Sequence, residues 1–117
     1  MRILLVEDER KVASFIARAL RENSYAVDVA ETGEKGLEQA TDVTYDAILL
    51  DVRLPGMSGM ELQRRLSGDG NPIPIIFITG HTDEALRKRA LQDGALAFFL
   101  KPFSAQALLE TISSTLK

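Results

Sequence analysis

Three consecutive acids, Glu7, Asp8 and Glu9, directly follow an apolar segment near the start of this sequence, and a later apolar segment ends in Asp51. Carboxylates held close together repel one another, which raises their proton affinity or recruits a cation. Oxygen ligands with no histidine or cysteine nearby suit Mg²⁺ better than zinc. If the fold brings the two segments together, these acids predict a magnesium site.

Asp51, Thr79 and Lys101 have the side-chain types that phosphoryl transfer to a carboxylate requires. A carboxylate oxygen can attack phosphorus, and the three outer oxygens of the transferring group then need a metal, an ammonium and a hydroxyl as partners. Taken singly, each residue has an ordinary structural explanation. An acid after a strand is often the N-cap of the next helix, and we interpret Glu9 in that way. The combination indicates aspartyl-phosphate chemistry.

Five short apolar segments predict the strands that position these side chains: residues 3–6, 26–30, 47–50, 73–78 and 95–100. Four of the five are almost continuously apolar, as expected of parallel strands that are covered on both faces. The second contains Asp28 and is predicted to be an edge strand.

Apolar residues at helical spacing lie between the predicted strands. One predicted core-facing stripe consists of Val12, Phe15, Ile16, Ala19 and Leu20, and another of Ala105, Leu108, Leu109, Ile112 and Leu116. Shorter patterns within residues 37–40, 60–66 and 83–93 predict three more helices. The last of them has few large apolar groups, so we expect it to be weakly anchored.

The strict alternation of strands and helices predicts a doubly wound α/β sheet with right-handed crossovers. Ligands bind such sheets outside the carboxyl ends of the strands, close to the switch in strand order. Three acids, a hydroxyl and an ammonium are therefore expected to meet at one edge of the sheet.

Composition excludes several other classes of protein. The chain has 117 residues, 45% of them hydrophobic, enough for one domain and too few for two. A net charge of −3 and mixed charges show no basic patch for nucleic acid or anionic membrane. Cysteine is absent, the apolar runs are far shorter than the roughly 20 residues of a membrane span, and no signal peptide is recognisable. We expect a cytoplasmic protein that binds neither nucleic acid nor membrane directly.

Over essentially its whole length, the chain resembles the receiver domain of two-component response regulators. The resemblance lies in four motifs: VEDE at residues 6–9, LLDVRLPGMSG at 49–59, FITG at 77–80 and LKPF at 100–103. An acid pair or a KPF motif alone is weak evidence for this family, whereas the four motifs in this order and spacing are specific for it.

The resemblance implies a five-stranded parallel sheet in the flavodoxin-like order 2-1-3-4-5 with five helices. It implies one receiver domain over residues 1–117, with no output domain inside that range. Such a domain is not a conventional enzyme, although it catalyses its own phosphorylation and dephosphorylation. A sensor histidine kinase supplies the phosphoryl group in a Mg²⁺-dependent reaction. The face formed by helix 4, strand 5 and helix 5 then changes and controls a transcriptional output domain, a partner protein or a phosphorylation-dependent homodimer.

The resemblance also implies a role for each site residue. Asp51 is the phosphoacceptor, Asp8 binds the metal directly, Glu7 acts on it through water, and the Arg53 main-chain carbonyl completes the protein ligands. Lys101 pairs with the phosphoryl group, and its peptide bond to the following proline corresponds to one that is cis in the family.

Thr79 and Phe98 correspond to the switch pair of the family, in which the hydroxyl moves toward the phosphoryl group and the aromatic ring follows inward. Plain core packing is the alternative for Phe98 and the expectation for Phe99. Arg53 and His81 correspond to positions beside the path of the hydrolytic water, so they are candidates for setting the lifetime of the phosphate. The alternative is that Arg53 lies in solvent and His81 belongs only to the loop.

A second class of function uses the same chemistry. A magnesium-dependent phosphoesterase or nuclease of similar topology would also place acids at strand ends. Such enzymes generally need a further acid close to the one after the third strand, and Arg53 occupies the nearby position in this sequence. We therefore favour the receiver over the hydrolase.

Overall fold

The computed structural model describes residues 1–68, 73–80, 84–101 and 104–115. Within these ranges, five strands alternate with five helices. The strands are β1 (Arg2–Val6), β2 (Ala26–Ala30), β3 (Ala47–Asp51), β4 (Ile75–Thr79) and β5 (Ala97–Leu100). The helices are α1 (Arg10–Glu22), α2 (Gly33–Asp42), α3 (Gly59–Gly68), α4 (Glu84–Gln92) and α5 (Ala105–Thr115). The predicted α/β alternation is confirmed.

The strands form one parallel sheet in the order β2-β1-β3-β4-β5. This order confirms both the predicted topology and the prediction that the strand containing Asp28 lies at an edge. The chain runs from β1 outward to β2 and then returns to β3 on the other side, so the switch in strand order lies between β1 and β3. Val6 is paired with Leu50, and the next residues, Glu7 and Asp51, therefore lie side by side at the carboxyl edge.

Helices cover both faces of the sheet because successive strand side chains point to opposite sides. Leu4 and Val6 of β1 pack in one cluster with residues of α2, α3 and α4, such as Leu62. Ile3 and Leu5 pack in the other with residues of α1 and α5. The apolar residues of β1, β3 and β4 are thus buried from both sides, as predicted. The prediction was wrong for β5, which is only partly buried, with Leu100 43% exposed, because it is the other edge strand.

The predicted core-facing stripe of α1 was wrong at Phe15, which is 54% exposed. The buried face of α1 consists of Ala13, Ile16, Ala17 and Leu20, which follow the i, i+3, i+4, i+7 spacing of one helix face. At roughly 100° per residue, Phe15 lies on the far side of the helix from the centre of that face. Two small alanines fill the positions against the sheet, and the large aromatic ring faces outward.

Two strands begin later than predicted. β4 begins at Ile75 because Pro74 has no N–H to contribute to the ladder. β5 begins at Ala97 because the N–H of Ala95 donates to the carbonyl of Ala90. This bond and the positive φ of Gly94 end α4 in a Schellman motif.

The weak anchoring expected of the fourth helix agrees with the structure, since Ala90 is the buried residue of α4. Its predicted first residue, Asp83, lies outside the described residues, as does Leu116 at the end of the predicted α5 stripe. None of the helices in the described part of the chain is long and apolar enough to cross a membrane.

Candidate functional site

Three carboxylates meet at the carboxyl edge of the sheet, at the switch between β1 and β3. Glu7, Asp8 and Asp51 each offer an oxygen, and these oxygens lie within 4.8 Å of one another. Glu7 and Asp51 are 1% and 4% exposed, whereas Asp8 is open to solvent. Two buried, like-charged groups beside an accessible third form an all-oxygen site that a hard divalent cation fits. The acidic cluster predicted from the sequence is therefore assembled, with geometry that could hold a metal ion.

Lys101, at the end of β5, reaches into this cluster. Its Nζ lies 2.6 Å from Glu7 Oε1 and 3.2 Å from Asp51 Oδ2, and the side chain is only 14% exposed. The ammonium thus compensates part of the negative charge that burial makes costly at Glu7 and Asp51. A fourth acid, Glu9, places its Oε1 3.4 Å from the same nitrogen.

The electrostatics of the site depend on burial and on the crowding of charges. Burial, reinforced by a hydrogen bond with Asp51, raises the pKa of Glu7 to about 7, although Lys101 opposes this rise. Burial alone would lower the pKa of Lys101. The hydrogen bond to Glu7 and the charge of Asp51 outweigh that effect and raise the pKa of the ammonium. The lysine is therefore charged at neutral pH, and the Glu7 carboxyl group holds its proton more tightly than an isolated glutamate does.

Glu9 is the site residue that the sequence interpretation missed. It stands at the N-cap position of α1, as expected, but its side chain makes no capping hydrogen bond. Its carboxylate contacts Lys101 instead, and its N–H donates to Glu7 Oε2 over 3.2 Å. Nothing in the local sequence distinguishes a capping acid from one that contacts a lysine 92 residues later.

The Asp51 carboxylate is held from two directions. The N–H of Arg53 donates to Asp51 Oδ1 over 3.0 Å, while Lys101 Nζ contacts Oδ2. The Arg53 backbone therefore lies at the carboxylate, and its side chain is exposed. The metal-binding role of the Arg53 carbonyl stays a prediction.

Thr79 and Phe98 lie on the face of the sheet that α4 covers. Thr79 is buried, and its carbonyl accepts a 2.7 Å hydrogen bond from the N–H of Lys101. Phe98 is half-buried, is paired with Phe77 in the register of β4 and β5, and has its ring centroid 6.0 Å from that of Phe77. Phe99 packs on the opposite face against the α1 and α5 cluster, which confirms the core packing expected of it. The switch role of the other two residues stays a prediction.

Two sequence-based expectations cannot be placed on this geometry. His81, a candidate for phosphate lifetime, and Pro102, which would follow the cis bond, lie outside the described residues.

Known proteins share this sequence pattern across nearly the whole chain. Response regulator ArlR of Staphylococcus saprophyticus is 40% identical over 116 residues, which are 99% of this chain and 52% of that protein. Transcriptional regulatory protein DltR of Streptococcus agalactiae is 39% identical over 112 residues, 96% of this chain and 50% of that protein. The chain spans about half the length of these curated relatives.

Solved structures share the fold. A CheY-like response regulator receiver domain protein from Methanospirillum hungatei superposes with a TM-score of 0.93 at 30% identity, covering 98% of this chain and 92% of that one. The crystal structure of FixJ-N gives a TM-score of 0.89 at 36% identity, with 98% and 92% covered. The family described as the response regulator receiver domain matches residues 3–113. By sequence, topology and the assembled acidic edge, this chain belongs to the response regulator receiver domain family of two-component systems.

Proposed function

We propose that this chain accepts a phosphoryl group on Asp51 from the phosphohistidine of a sensor kinase, in a reaction that depends on Mg²⁺. The observation that carries the proposal is the meeting of Glu7, Asp8 and Asp51 within 4.8 Å, with the Lys101 ammonium among them. Only at this cluster does a buried carboxylate adjoin both a candidate cation site and a fixed ammonium, within the part of the chain that the structure describes.

In the proposed transfer, Asp51 bonds to phosphorus as the donor departs as the leaving group. A carboxylate oxygen of Asp51 forms the new O–P bond while the P–N bond of phosphohistidine breaks, and the electron pair of that bond leaves with the imidazole nitrogen, which takes a proton from water. Asp8, Asp51 and the Arg53 carbonyl would hold Mg²⁺ directly, and Glu7 would act on it through water. When bound, it supplies positive charge against the carboxylates and the phosphoryl oxygens.

Lys101 and Thr79 then respond to the new phosphoryl group. The ammonium is already within 3.2 Å of Asp51 Oδ2, so a small movement pairs it with a phosphoryl oxygen. The Thr79 hydroxyl donates a hydrogen bond to another phosphoryl oxygen. Phe98, on the same face of the sheet, then moves into the space that Thr79 leaves. The weakly anchored α4, together with β5 and α5, is the surface that changes and acts on a partner.

The partner is an output domain or a separate protein. The curated relatives are about twice as long as this chain, and one of them is named a transcriptional regulatory protein. We therefore infer that the switched surface controls transcription through another domain or protein, with a phosphorylation-dependent homodimer as one form of that control.

Phosphoramidate tests the proposal because it is a small donor with the same P–N bond. Incubated with it and Mg²⁺, the wild-type protein should gain one hydroxylamine-sensitive phosphoryl group by intact mass, and chelation should abolish the gain. Asp51→Asn should gain none while its fold stays intact or becomes more stable, because the amide removes both the nucleophile and a repelling charge. Asp42→Asn, at the exposed end of α2, is the matched control. Stoichiometric phosphate on Asp51→Asn would refute the assignment.

The alternative, a magnesium-dependent phosphoesterase or nuclease, gains no support from the relatives or from the family match. The same incubation separates the two functions, since a hydrolase would turn the phosphoryl donor over without retaining an acyl phosphate.

A further inference from the structure

The loop between β3 and α3 links the phosphoacceptor to a helix that has no residue at the acidic edge. This loop follows Asp51, and it is closed at its base by a 3.0 Å hydrogen bond from the N–H of Gly59 to the carbonyl of Val52. A Cβ atom at Gly59 would overlap the Asp51 carbonyl oxygen. The start of α3 is thus packed directly on the end of β3, and little room is left for the loop to shift on that side.

The first turn of α2 packs against the far side of the same loop. Glu34 Oε1 accepts a 3.3 Å hydrogen bond from the N–H of Met57. A Cβ atom at Gly56, where φ is +76°, would lie 2.5 Å from Glu34 Oε2. A Cβ atom at Gly33 would lie 2.6 Å from the Met57 carbonyl oxygen. Helix and loop therefore approach as closely as glycine allows, and a carboxylate holds the loop backbone.

The loop is accordingly fixed between α2 and the end of β3, and its near end carries the Arg53 N–H that donates to Asp51 Oδ1. A shift at Met57 has few ways to be absorbed, because the segment from Val52 to Gly59 is short and closed by its own hydrogen bond. Movement of that segment changes the direction of the Arg53 peptide group. It therefore also changes the hydrogen bond from the Arg53 N–H to Asp51 Oδ1.

We infer that Glu34, seated by Gly33 in the first turn of α2, is a positioning residue for the phosphoacceptor site. It holds the loop after Asp51 through the Met57 N–H and thereby sets the backbone geometry for Mg²⁺ binding and phosphoryl transfer. The inference rests on the proposed function. The helix α2 contributes no residue to the acidic edge, and this inference gives it an indirect part in the reaction.

Glu34→Ala and Glu38→Ala form a matched pair, since each removes one exposed acid from α2 and only Glu34 contacts the loop. Glu34→Ala should weaken Mg²⁺ binding and slow phosphorylation by phosphoramidate about fivefold, the effect of losing one ordinary, solvent-exposed hydrogen bond. Glu34→Gln, which keeps an oxygen acceptor, should recover most of both. Glu38→Ala should match the wild type. The measurements are calorimetric Mg²⁺ affinity, the phosphorylation rate and the melting temperature.

A second variant reaches the loop by a different route. Gly33→Ala should displace the Met57 carbonyl and weaken Mg²⁺ binding, whereas Gly68→Ala, where a Cβ meets nothing within 4 Å, should not. If wild-type protein neither binds Mg²⁺ nor accepts phosphate, the proposed function fails and this inference fails with it. If the wild type does both and Glu34→Ala equals Glu38→Ala in Mg²⁺ affinity and rate, the inference alone is overturned, even where the melting temperature changes.

Discussion

The Lys101 ammonium lies closer to Glu7, at 2.6 Å, than to Asp51, at 3.2 Å. This lysine, at the end of the edge strand β5, therefore neutralises acids at the ends of β1 and β3. Its backbone N–H donates a hydrogen bond to the carbonyl of Thr79 in the neighbouring strand β4. A movement of Lys101 toward a phosphoryl group would accordingly be transmitted to β4 and β5 by covalent and hydrogen-bonded connections.

Lys101→Ala should permit some phosphorylation and uncouple it from the conformational change. The nucleophile and the carboxylates remain, but the charge that ties the phosphoryl group to β5 is lost. Amide chemical shifts of α4 and β5, recorded before and after phosphorylation, measure the coupling. The same set of shift changes in the wild type and in Lys101→Ala would contradict this role, and Lys88→Ala on exposed α4 controls for loss of a positive charge.

Mg²⁺ affinity should rise with pH through about 7. Burial and the hydrogen bond with Asp51 raise the pKa of Glu7 to about 7. A cation bound nearby favours the charged carboxylate, so binding below that pH requires the release of this proton. Calorimetric titrations between pH 5.5 and 8.5 measure the trend. Glu7→Gln should bind Mg²⁺ more weakly and without this pH dependence, so an unchanged pH profile in the variant would assign the effect to another group.

The same pKa has a consequence for the metal-free protein. Because the pKa of Glu7 is raised on folding from 4.5 to about 7, the folded state holds this proton more tightly than the unfolded state does. The stabilising contribution is complete below about pH 4.5 and is lost as the pH rises to about 7. Urea denaturation of the wild type and of Glu7→Gln across this window should therefore show a smaller loss of stability with rising pH in the variant.

Arg53 and His81 are predicted to influence how long the phosphate survives. Hydrolysis requires water to approach phosphorus opposite the Asp51 oxygen, and the Arg53 backbone lies at that carboxylate. Combining Arg53→Ala with His81→Ala should change the autodephosphorylation rate severalfold, with acceleration the expected direction, and should not change Mg²⁺ affinity comparably. Loss of phosphate from purified phosphoprotein is the measurement. Superimposable decay curves would remove both residues from the mechanism.

Tyr45→Phe should lower stability without affecting phosphorylation. The Tyr45 hydroxyl donates a 2.7 Å hydrogen bond to Asp28 Oδ2, and burial together with this partner raises the pKa of Tyr45 to about 12. Removing the hydroxyl should cost about 1 kcal/mol of unfolding free energy, since Asp28 keeps its contact with Arg2. Urea denaturation measures the loss. A changed phosphorylation rate in this variant would mean that the effect of Tyr45 extends to the acidic edge.

Much of the site could be predicted because it depends on where strands end. Continuous apolar runs identified the parallel strands, and the strand order that the family resemblance implies placed Glu7 beside Asp51 with no knowledge of side-chain packing. The same reasoning brought Thr79 and Lys101 to that edge. Local pattern was sufficient for these residues because parallel strands align their carboxyl ends wherever their helices pack.

Other features depend on contacts between distant parts of the chain. Periodicity placed Phe15 in the core, but the space between α1 and the sheet accepts the alanines of that helix and leaves the ring outside. The contact of Glu9 with Lys101 and the hold of Glu34 on Met57 join residues that no local pattern relates. Hydrophobic spacing and strand ends thus determined the α/β class and the side chains at the acidic edge, and the family motifs in the sequence added the strand order. Only close packing in three dimensions decided which charged and bulky side chains meet, because the distances between helices and loops are set by all of their neighbours together.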